Sequence, residues 1–460
     1  MEKLTPTPEQ ETVIQQMVAC AKGDPDKRGV ILGAHTGAGK TVLCVETAIR
    51  LGAQVILVIA PLGTRVGWER TFRRQGWTGP VRRLETKVHE EVMGALIARE
   101  PGVYLVGREY FRLAKNNWRK VLPDVVIYDE VHAVSGRKTQ GFKQVKTLRA
   151  KMLKVASSGT WFGNRFEGAW AISRWLWPNL VDPSFWRWVA RWAQTDTIYM
   201  RQGGELKEIT KVSREKNPGA YAKAVPCYAY LAGDSNLKEV TTARYVDLTP
   251  AQRKMYNQME DQALAWLEEH PLVADLPIAQ RTRLRQMTLG TVTINAEGDV
   301  DFDVDKCKSS KLDAAQEILA DLPEGEPVVL YTSSARFAKV VKARLGEKAA
   351  LWIGETKHSD RERLLETFGR EGGPQYLVAT IPSFSEGLDG AQHVCHNAIW
   401  LDVSENNIIN QQARARLCRK GQTKTVVNWE IRATDSLDDD VSNSLLRQTL
   451  DNRASMAVTS

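Results

Sequence analysis

The sequence predicts an α/β protein of two tandem, doubly wound parallel sheets with a helical region between them. Apolar runs of strand length alternate with helix-period segments over residues 1–162, and the same alternation returns over 306–460. Residues 163–305 break the pattern and are rich in tryptophan and arginine. At 460 residues the chain is long enough for such units to bury separate cores.

The first strand is the apolar run Gly29-Val30-Ile31-Leu32, followed by Ala34-His35-Thr36-Gly37-Ala38-Gly39-Lys40-Thr41 and the apolar-periodic Val42-Leu43-Cys44-Val45. Strand, glycine-rich loop and helix in this order read as a phosphate-binding loop. Gly37, Ala38 and Gly39 let backbone N–H groups curl around a phosphate, Lys40 adds positive charge, and the Thr41 hydroxyl suits magnesium. Ala34 stands at the first motif position, where a small residue suffices. ATP or GTP binding is the expectation.

Further strands follow at Val55–Ala60, Val103–Val106, Val125–Tyr128 and Leu153–Ala156. Each runs into a polar or small-residue segment: Leu62-Gly63-Thr64-Arg65, Gly107-Arg108-Glu109-Tyr110, Asp129-Glu130-Val131-His132 and Ser157-Ser158-Gly159-Thr160. Ligands of open α/β sheets gather at the carboxyl ends of strands. There Asp129 is placed to hold magnesium, directly or through water, and Glu130 to orient and deprotonate an attacking water; a solvated acidic turn is the alternative.

In the middle region Trp170, Trp175, Trp177, Trp186, Trp188 and Trp192 interleave with Arg174, Arg187 and Arg191. These suit base stacking, or equally a helical core. A hairpin is expected from Thr291–Ile294 and Val300–Asp303 about Ala296-Glu297-Gly298. The second unit begins near Ser309-Ser310-Lys311-Leu312. Its expected strands are Val328–Tyr331, Leu351–Ile353, Tyr376–Thr380, Ala398–Leu401 and Val426–Trp429, with helices over Ala335–Leu345 and Asp360–Phe368.

The formal charge of +8 and pI of about 9.0 favour a polyanionic partner. Six cysteines, at 20, 44, 227, 307, 395 and 418, form neither a CxxC pair nor a zinc-type set with histidine, which suggests a reducing, cytoplasmic compartment. Met1–Pro6 carries no apolar signal core and no run approaches membrane-spanning length, so a soluble protein without a membrane partner is expected.

One segment carries a family resemblance. Gln412-Ala413-Arg414-Ala415-Arg416-Leu417-Cys418-Arg419-Lys420-Gly421-Gln422 matches QxxxRxxRxGQ at every defined position. With the phosphate loop and the DEVH tetrad Asp129–His132, the chain resembles superfamily 2 helicase-like ATPases, and within them the Swi/Snf-type DNA translocases. The likeness runs from about Pro8 to Leu446 and is greatest to compact, phage-encoded members. Ala60-Pro61-Leu62 with Trp68, Ser158-Gly159-Thr160 with Asn164, Val246–Gln252 with Tyr256, Leu284-Arg285-Gln286, Ser309–Leu312 and Ser385–Asp389 match further family segments in order. Trp161 replaces a proline and Asp389 an asparagine of the family pattern, and its double arginine is not evident near Arg214-Glu215-Lys216.

The resemblance implies two RecA-like domains hydrolysing ATP with Mg2+ in the cleft between them. It implies that Arg416 and Arg419 stabilise transition-state charge, a solvated basic helix being the alternative, that Gln412 shares their helical face, and that position 389 serves the ribose or DNA, a role the change from asparagine to Asp389 puts in question. Gln10, after Thr7-Pro8, stands where related proteins contact adenine; a plain residue of a helix start is the alternative. His132 is expected to link the nucleotide site to the second domain, or simply to pack. Nucleic acid is expected along Thr64, Arg65, Arg108, Ser333 and Ser334, hydroxyls and arginines meeting phosphates without reading sequence; for each, a solvated loop residue is the alternative. The expected protein is a monomeric, DNA-stimulated translocase, duplex favoured over single-stranded or forked DNA, with room for a phage or host replication or repair partner. The alternatives are a strand-separating or branch-migrating DNA or RNA helicase, and a nucleotide-gated DNA clamp that barely turns over.

Overall fold

The computed structural model describes residues 3–34, 37–85, 88–113, 118–163, 165–202, 205–232, 237–262, 264–267, 270–273, 277–295, 297, 299–386 and 390–456. His35, Thr36, Asn164, Ala296, Gly298 and Asp389 therefore lie outside the described residues. Contacts divide the chain into two compact units, 1–233 with 448–460, and 234–447.

In the first unit β1 (Gly29–Ala34), β2 (Val55–Ala60), β3 (Val81–Leu84), β4 (Gly102–Gly107), β5 (Val125–Asp129) and β6 (Leu153–Ser158) follow the apolar runs. β7 (Ala193–Gln202) and β8 (Glu205–Glu215) form a separate antiparallel pair, and β9 (Tyr228–Leu231) returns to lie beside β1. The sheet has seven strands in the order β3-β4-β2-β5-β6-β1-β9, with every neighbouring pair parallel. Both faces are covered, as parallel sheets require. Val30, Leu32, Ile56 and Val58 pack with the helices Pro8–Lys22 and Lys40–Arg50. Ile31, Val55, Leu57 and Ile59 point the other way and join a core containing Trp118, Trp161 and Trp175.

That second core settles most of the tryptophan-rich stretch. Trp175, Trp177 and Trp188 are buried in it, and Trp170 and Trp192 pack against it. Truncating such an indole to alanine costs about 3–5 kcal/mol. The region expected to be helical is also partly strand, with β7, β8 and β9 alongside the helices Gly168–Leu176 and Phe185–Trp192. The two glycines at 203 and 204 between two β-forming runs are the hairpin signal in the sequence.

The second unit starts with β10 (Glu239–Val246), then the small antiparallel pairs β11 (Leu264–Leu267) with β12 (His270–Val273) and β13 (Thr293–Ile294) with β14 (Val300–Asp301). β15 (Val328–Thr332), β16 (Ala349–Trp352), β17 (Tyr376–Thr380), β18 (Asn397–Trp400) and β19 (Val426–Ala433) complete it. Its sheet has six parallel strands in the order β10-β19-β18-β15-β17-β16. Val328 and Leu330 enter one core while Val329 and Tyr331 enter the other, so this sheet too is covered on both faces. Ser309 caps the helix Ser310–Asp321, whose wholly buried Lys311 pairs with Asp438 at 2.6 Å. Among the described residues no helix is long and apolar enough to cross a membrane.

Candidate active site

The glycine loop connects β1 to the helix Lys40–Arg50. Gly37 has φ 85° and Gly39, the helix N-cap, φ 91°; both lie in the left-handed region that favours glycine. A Cβ on Gly39 would also meet Gln10 Nε2 at 2.6 Å. Gln10 is in the first turn of Pro8–Lys22, where its Oε1 accepts from the Thr7 amide at 3.0 Å in a capping box. Its Nε2 donates to the Ala38 carbonyl at 2.9 Å, so Gln10 braces the loop directly. Lys40 Nζ donates to the Ala34 carbonyl at 3.3 Å and lies 3.9 Å from Glu130 Oε1. Thr41 follows it in the first turn of a helix whose free N–H groups favour an anion.

Sheet register brings the carboxylates to this loop. β6 lies between β1 and β5, with Gly33 opposite Ser158 and Asp129 opposite Ser157. Asp129 is buried; its Oδ2 accepts the Trp68 indole N–H at 3.2 Å and its Oδ1 the Glu130 amide at 3.1 Å. Glu130 has φ 52° and ψ 53°, a left-handed conformation that is strained in a non-glycine residue. Its Oε2 accepts from Ser158 Oγ at 3.1 Å and lies 3.3 Å from His132 Nδ1, which is itself 3.0 Å from Ser158 Oγ. His132 thus packs onto Glu130 within the first unit.

Burial, then the neighbouring Glu130 carboxylate, raises Asp129 above the ordinary carboxylate range. For Glu130 burial again pushes upward, but Lys40, His132 and Ser158 outweigh it and hold the group low. A buried and a part-buried carboxylate beside one ammonium leave an excess of negative charge next to a phosphate-type loop. That excess, with the oxygen donors of Asp129 and Thr41, fits a hard divalent cation taken up together with substrate phosphates.

The QxxxRxxRxGQ segment departs from the expected helical face. The helix Asn407–Arg414 stops before the arginines, and the chain tightens into three-residue turns, with Arg416 N donating to Ala413 O at 3.1 Å and Leu417 N to Arg414 O at 3.0 Å. Gln412 is therefore helical, while Arg416 and Arg419 sit in the turns beyond, and the i, i+4, i+7 alignment does not form. Tertiary pull explains the early stop. Arg414 bonds Thr241 at 2.9 Å and Glu239 at 3.3 Å, also bonds Glu430, and lies over the Trp400 ring; Leu417 is turned into the core. Arg416 Nε donates to the Ser385 carbonyl at 3.1 Å.

The expected nucleic-acid residues lie at strand ends, engaged in local bonds. Thr64 Oγ1 donates to the Pro61 carbonyl at 2.9 Å, and Arg65 pairs with Glu85 at 3.3 Å. Arg108 begins the short helix that follows β4. Ser333 N donates to Asp402 Oδ1 at 2.7 Å and its hydroxyl bonds the same carboxylate, while Ser334 caps the helix Ala335–Leu345. Gln10, Gly37–Thr41, Asp129 and Glu130 converge in the first unit; Gln412, Arg416, Arg419, Ser333 and Ser334 belong to the second. Trp68 and Ser158, which hold the two carboxylates, have no individual role in the sequence reading. Their partners lie on other strands, and only sheet register reveals them.

The SNF2-related domain matches residues 9–289. The chain belongs to the SNF2-related family. This is the helicase-like ATPase class that its motifs resemble, and the two parallel-sheet units have the expected α/β fold. Among curated relatives of this SNF2-related protein, an uncharacterized ATP-dependent helicase of Mycoplasma pneumoniae is 21% identical over 444 residues, covering 91% of this chain and 39% of the relative. Chromodomain-helicase-DNA-binding protein 6 of Mus musculus is 23% identical over 462 residues, covering 90% of this chain and 16% of the relative. The SNF2-related chain therefore spans well under half the length of these relatives. The solved Sulfolobus solfataricus SWI2/SNF2 ATPase core in complex with dsDNA aligns with 99% of this chain and 94% of its own, at 17% identity and a TM-score of 0.42.

Proposed function

We infer that this protein is a DNA-stimulated translocase that hydrolyses ATP at the carboxyl edge of its first sheet, with duplex DNA the favoured track. The observation that carries this is the Lys40–Glu130 approach of 3.9 Å, behind a loop whose two glycines have the backbone a phosphate cradle needs. Lys40 and the loop N–H groups hold the β- and γ-phosphates, and Gln10 keeps the loop in shape. Thr41 and Asp129 would hold magnesium, which when bound would neutralise phosphate charge.

Glu130 accepts a hydrogen bond from the attacking water. A carboxylate held this low is ionised at neutral pH but is a weak base. Its main contribution is to aim the water, and the proton passes to it late, as the bond to the leaving ADP breaks in a loose transition state. Water's oxygen ends on inorganic phosphate. Arg416 and Arg419 supply charge to that transition state, a contribution of about 10³ to 10⁵ in rate for such arginines. Their dependence on a second unit provides the coupling: DNA that brings the units into the active arrangement raises turnover. Arg65 and Arg108 with Thr64, and Ser333 with Ser334, are the phosphate-contact candidates. The names of the relatives agree with this reading: one is an ATP-dependent helicase, the other a helicase and DNA-binding protein.

Steady-state ATPase activity tests it, measured without nucleic acid and then with blunt duplex, single-stranded DNA, forked DNA and RNA. Stimulation strongest with duplex is expected. Stimulation by single strands or RNA alone replaces the translocase with a strand-separating helicase, and no stimulation leaves a clamp.

A further inference from the structure

Trp186 is the exception among the tryptophans of the middle region. The helix Phe185–Trp192 buries Phe185, Trp188 and Val189, whereas Trp186 is 48% exposed. Its solvent face carries Trp186, Arg187, Ala190 and Arg191, all exposed. Arg137, on the loop that follows His132, places its guanidinium 4.3 Å from the Phe185 ring centre and 5.7 Å from that of Trp186. Lys138 beside it is exposed too. Arg187 pairs with Asp182 at 3.4 Å.

A lone exposed aromatic residue needs no explanation. This one differs in its setting. The Arg137 guanidinium lies by the indole, and exposed Arg187 and Arg191 share its helix face. A flat π-surface among cations is complementary to a nucleotide, which brings an aromatic base and a phosphate together. The bases of an intact duplex are stacked on one another and present only their edges, so a stacking platform takes a base that has left the helix.

We propose that the Trp186 surface binds an unpaired nucleotide of DNA, with the base stacked on Trp186 and the adjoining phosphates on Arg137, Lys138 and Arg187. This rests on the DNA reading above and adds to it a contact for the frayed or forked end of the track. The surface lies within the first unit, and Arg137 comes from the loop that follows His132.

Fluorescence anisotropy tests the proposal with two labelled DNAs, a blunt duplex and the same duplex with an oligothymidine arm, against wild type, Trp186→Ala, Trp186→Phe, Trp186→Leu and Arg137→Ala. Trp186→Ala is expected to bind the armed duplex about 5- to 150-fold more weakly, the range for loss of one base stack, and the blunt duplex within about twofold. Trp186→Phe should recover most of the loss and Trp186→Leu little of it, which separates stacking from simple filling of space. Arg137→Ala should reduce the log–log salt slope of arm binding by about 0.7. Unchanged arm binding in Trp186→Ala, equal losses on both DNAs, or full recovery by leucine would each overturn it. If one of these outcomes occurs, duplex-stimulated ATP turnover retained in the same variants would leave the translocase reading standing.

Discussion

Two buried aspartates stand at the carboxyl ends of strands, one in each sheet, and their surroundings are opposite. Asp129 at the end of β5 accepts from the Trp68 indole and a backbone amide, both neutral donors, and has a second carboxylate as its neighbour. Asp402, just past β18, is bonded by the Ser333 amide and hydroxyl and paired with Arg285 at 3.3 Å, whose guanidinium also donates to the Val403 carbonyl at 2.6 Å. Both are 7% exposed. A buried carboxylate with its own guanidinium is complete and serves to fix a loop. One held by neutral donors beside another acid is suited to an external cation. On the proposed reading the same α/β edge is a ligand site in the first unit and a brace in the second, and the side chains decide which.

The largest effect should come from the loop that faces the open carboxylates. Lys40→Ala is expected to abolish ATP turnover while leaving DNA affinity nearly unchanged, measured by phosphate release and anisotropy on one preparation; turnover near wild type would detach the loop from the reaction. Arg416→Ala and Arg419→Ala are each expected to lower kcat by about 10³-fold or more while nucleotide binding persists. A loss of ATP affinity with kcat intact would make them binding residues instead. Trp68→Phe keeps the ring but removes the N–H that holds Asp129. It should raise half-saturating magnesium about tenfold, the scale for losing a support behind a metal ligand, with the ATP-independent melting temperature little changed. Asp402→Ala should have the least effect on the nucleotide site. It is expected to cost about 2 kcal/mol of stability, read by denaturant unfolding, and to leave nucleotide affinity as it was. A loss of ATP binding there would erase the distinction between the two aspartates.

Much of the architecture is legible in the sequence because local signals dominate it. Tyr376–Thr380 and Ala335–Leu345 form over the expected residues, one an apolar run and the other a helix capped by Ser334. The glycine loop and Asp129-Glu130 are legible because their chemistry sits in a few consecutive residues. What is hidden depends on distant partners. The end of Asn407–Arg414 is set by Glu239, Thr241 and Glu430, which come together through the pairing of β10 with β19. Trp68 reaches Asp129 only because β2 and β5 are neighbours, and Ser158 reaches Glu130 only because β6 lies beside β5. The fates of the tryptophans are hidden for the same reason: Trp186 and Trp188 are nearly adjacent in sequence, yet one is open to solvent and the other is core.

The most direct measurement is phosphate release by Glu130→Gln in the presence of saturating duplex DNA, with nucleotide binding followed in parallel. The carboxylate is replaced by a neutral group of the same shape, so the loop and Lys40 should still bind ATP and magnesium. The expected result is ATP bound at near wild-type affinity, turnover reduced by at least about a hundredfold, and DNA held more tightly in the trapped state. Turnover close to wild type would contradict the account, because the water-orienting group would then lie elsewhere than at the end of β5.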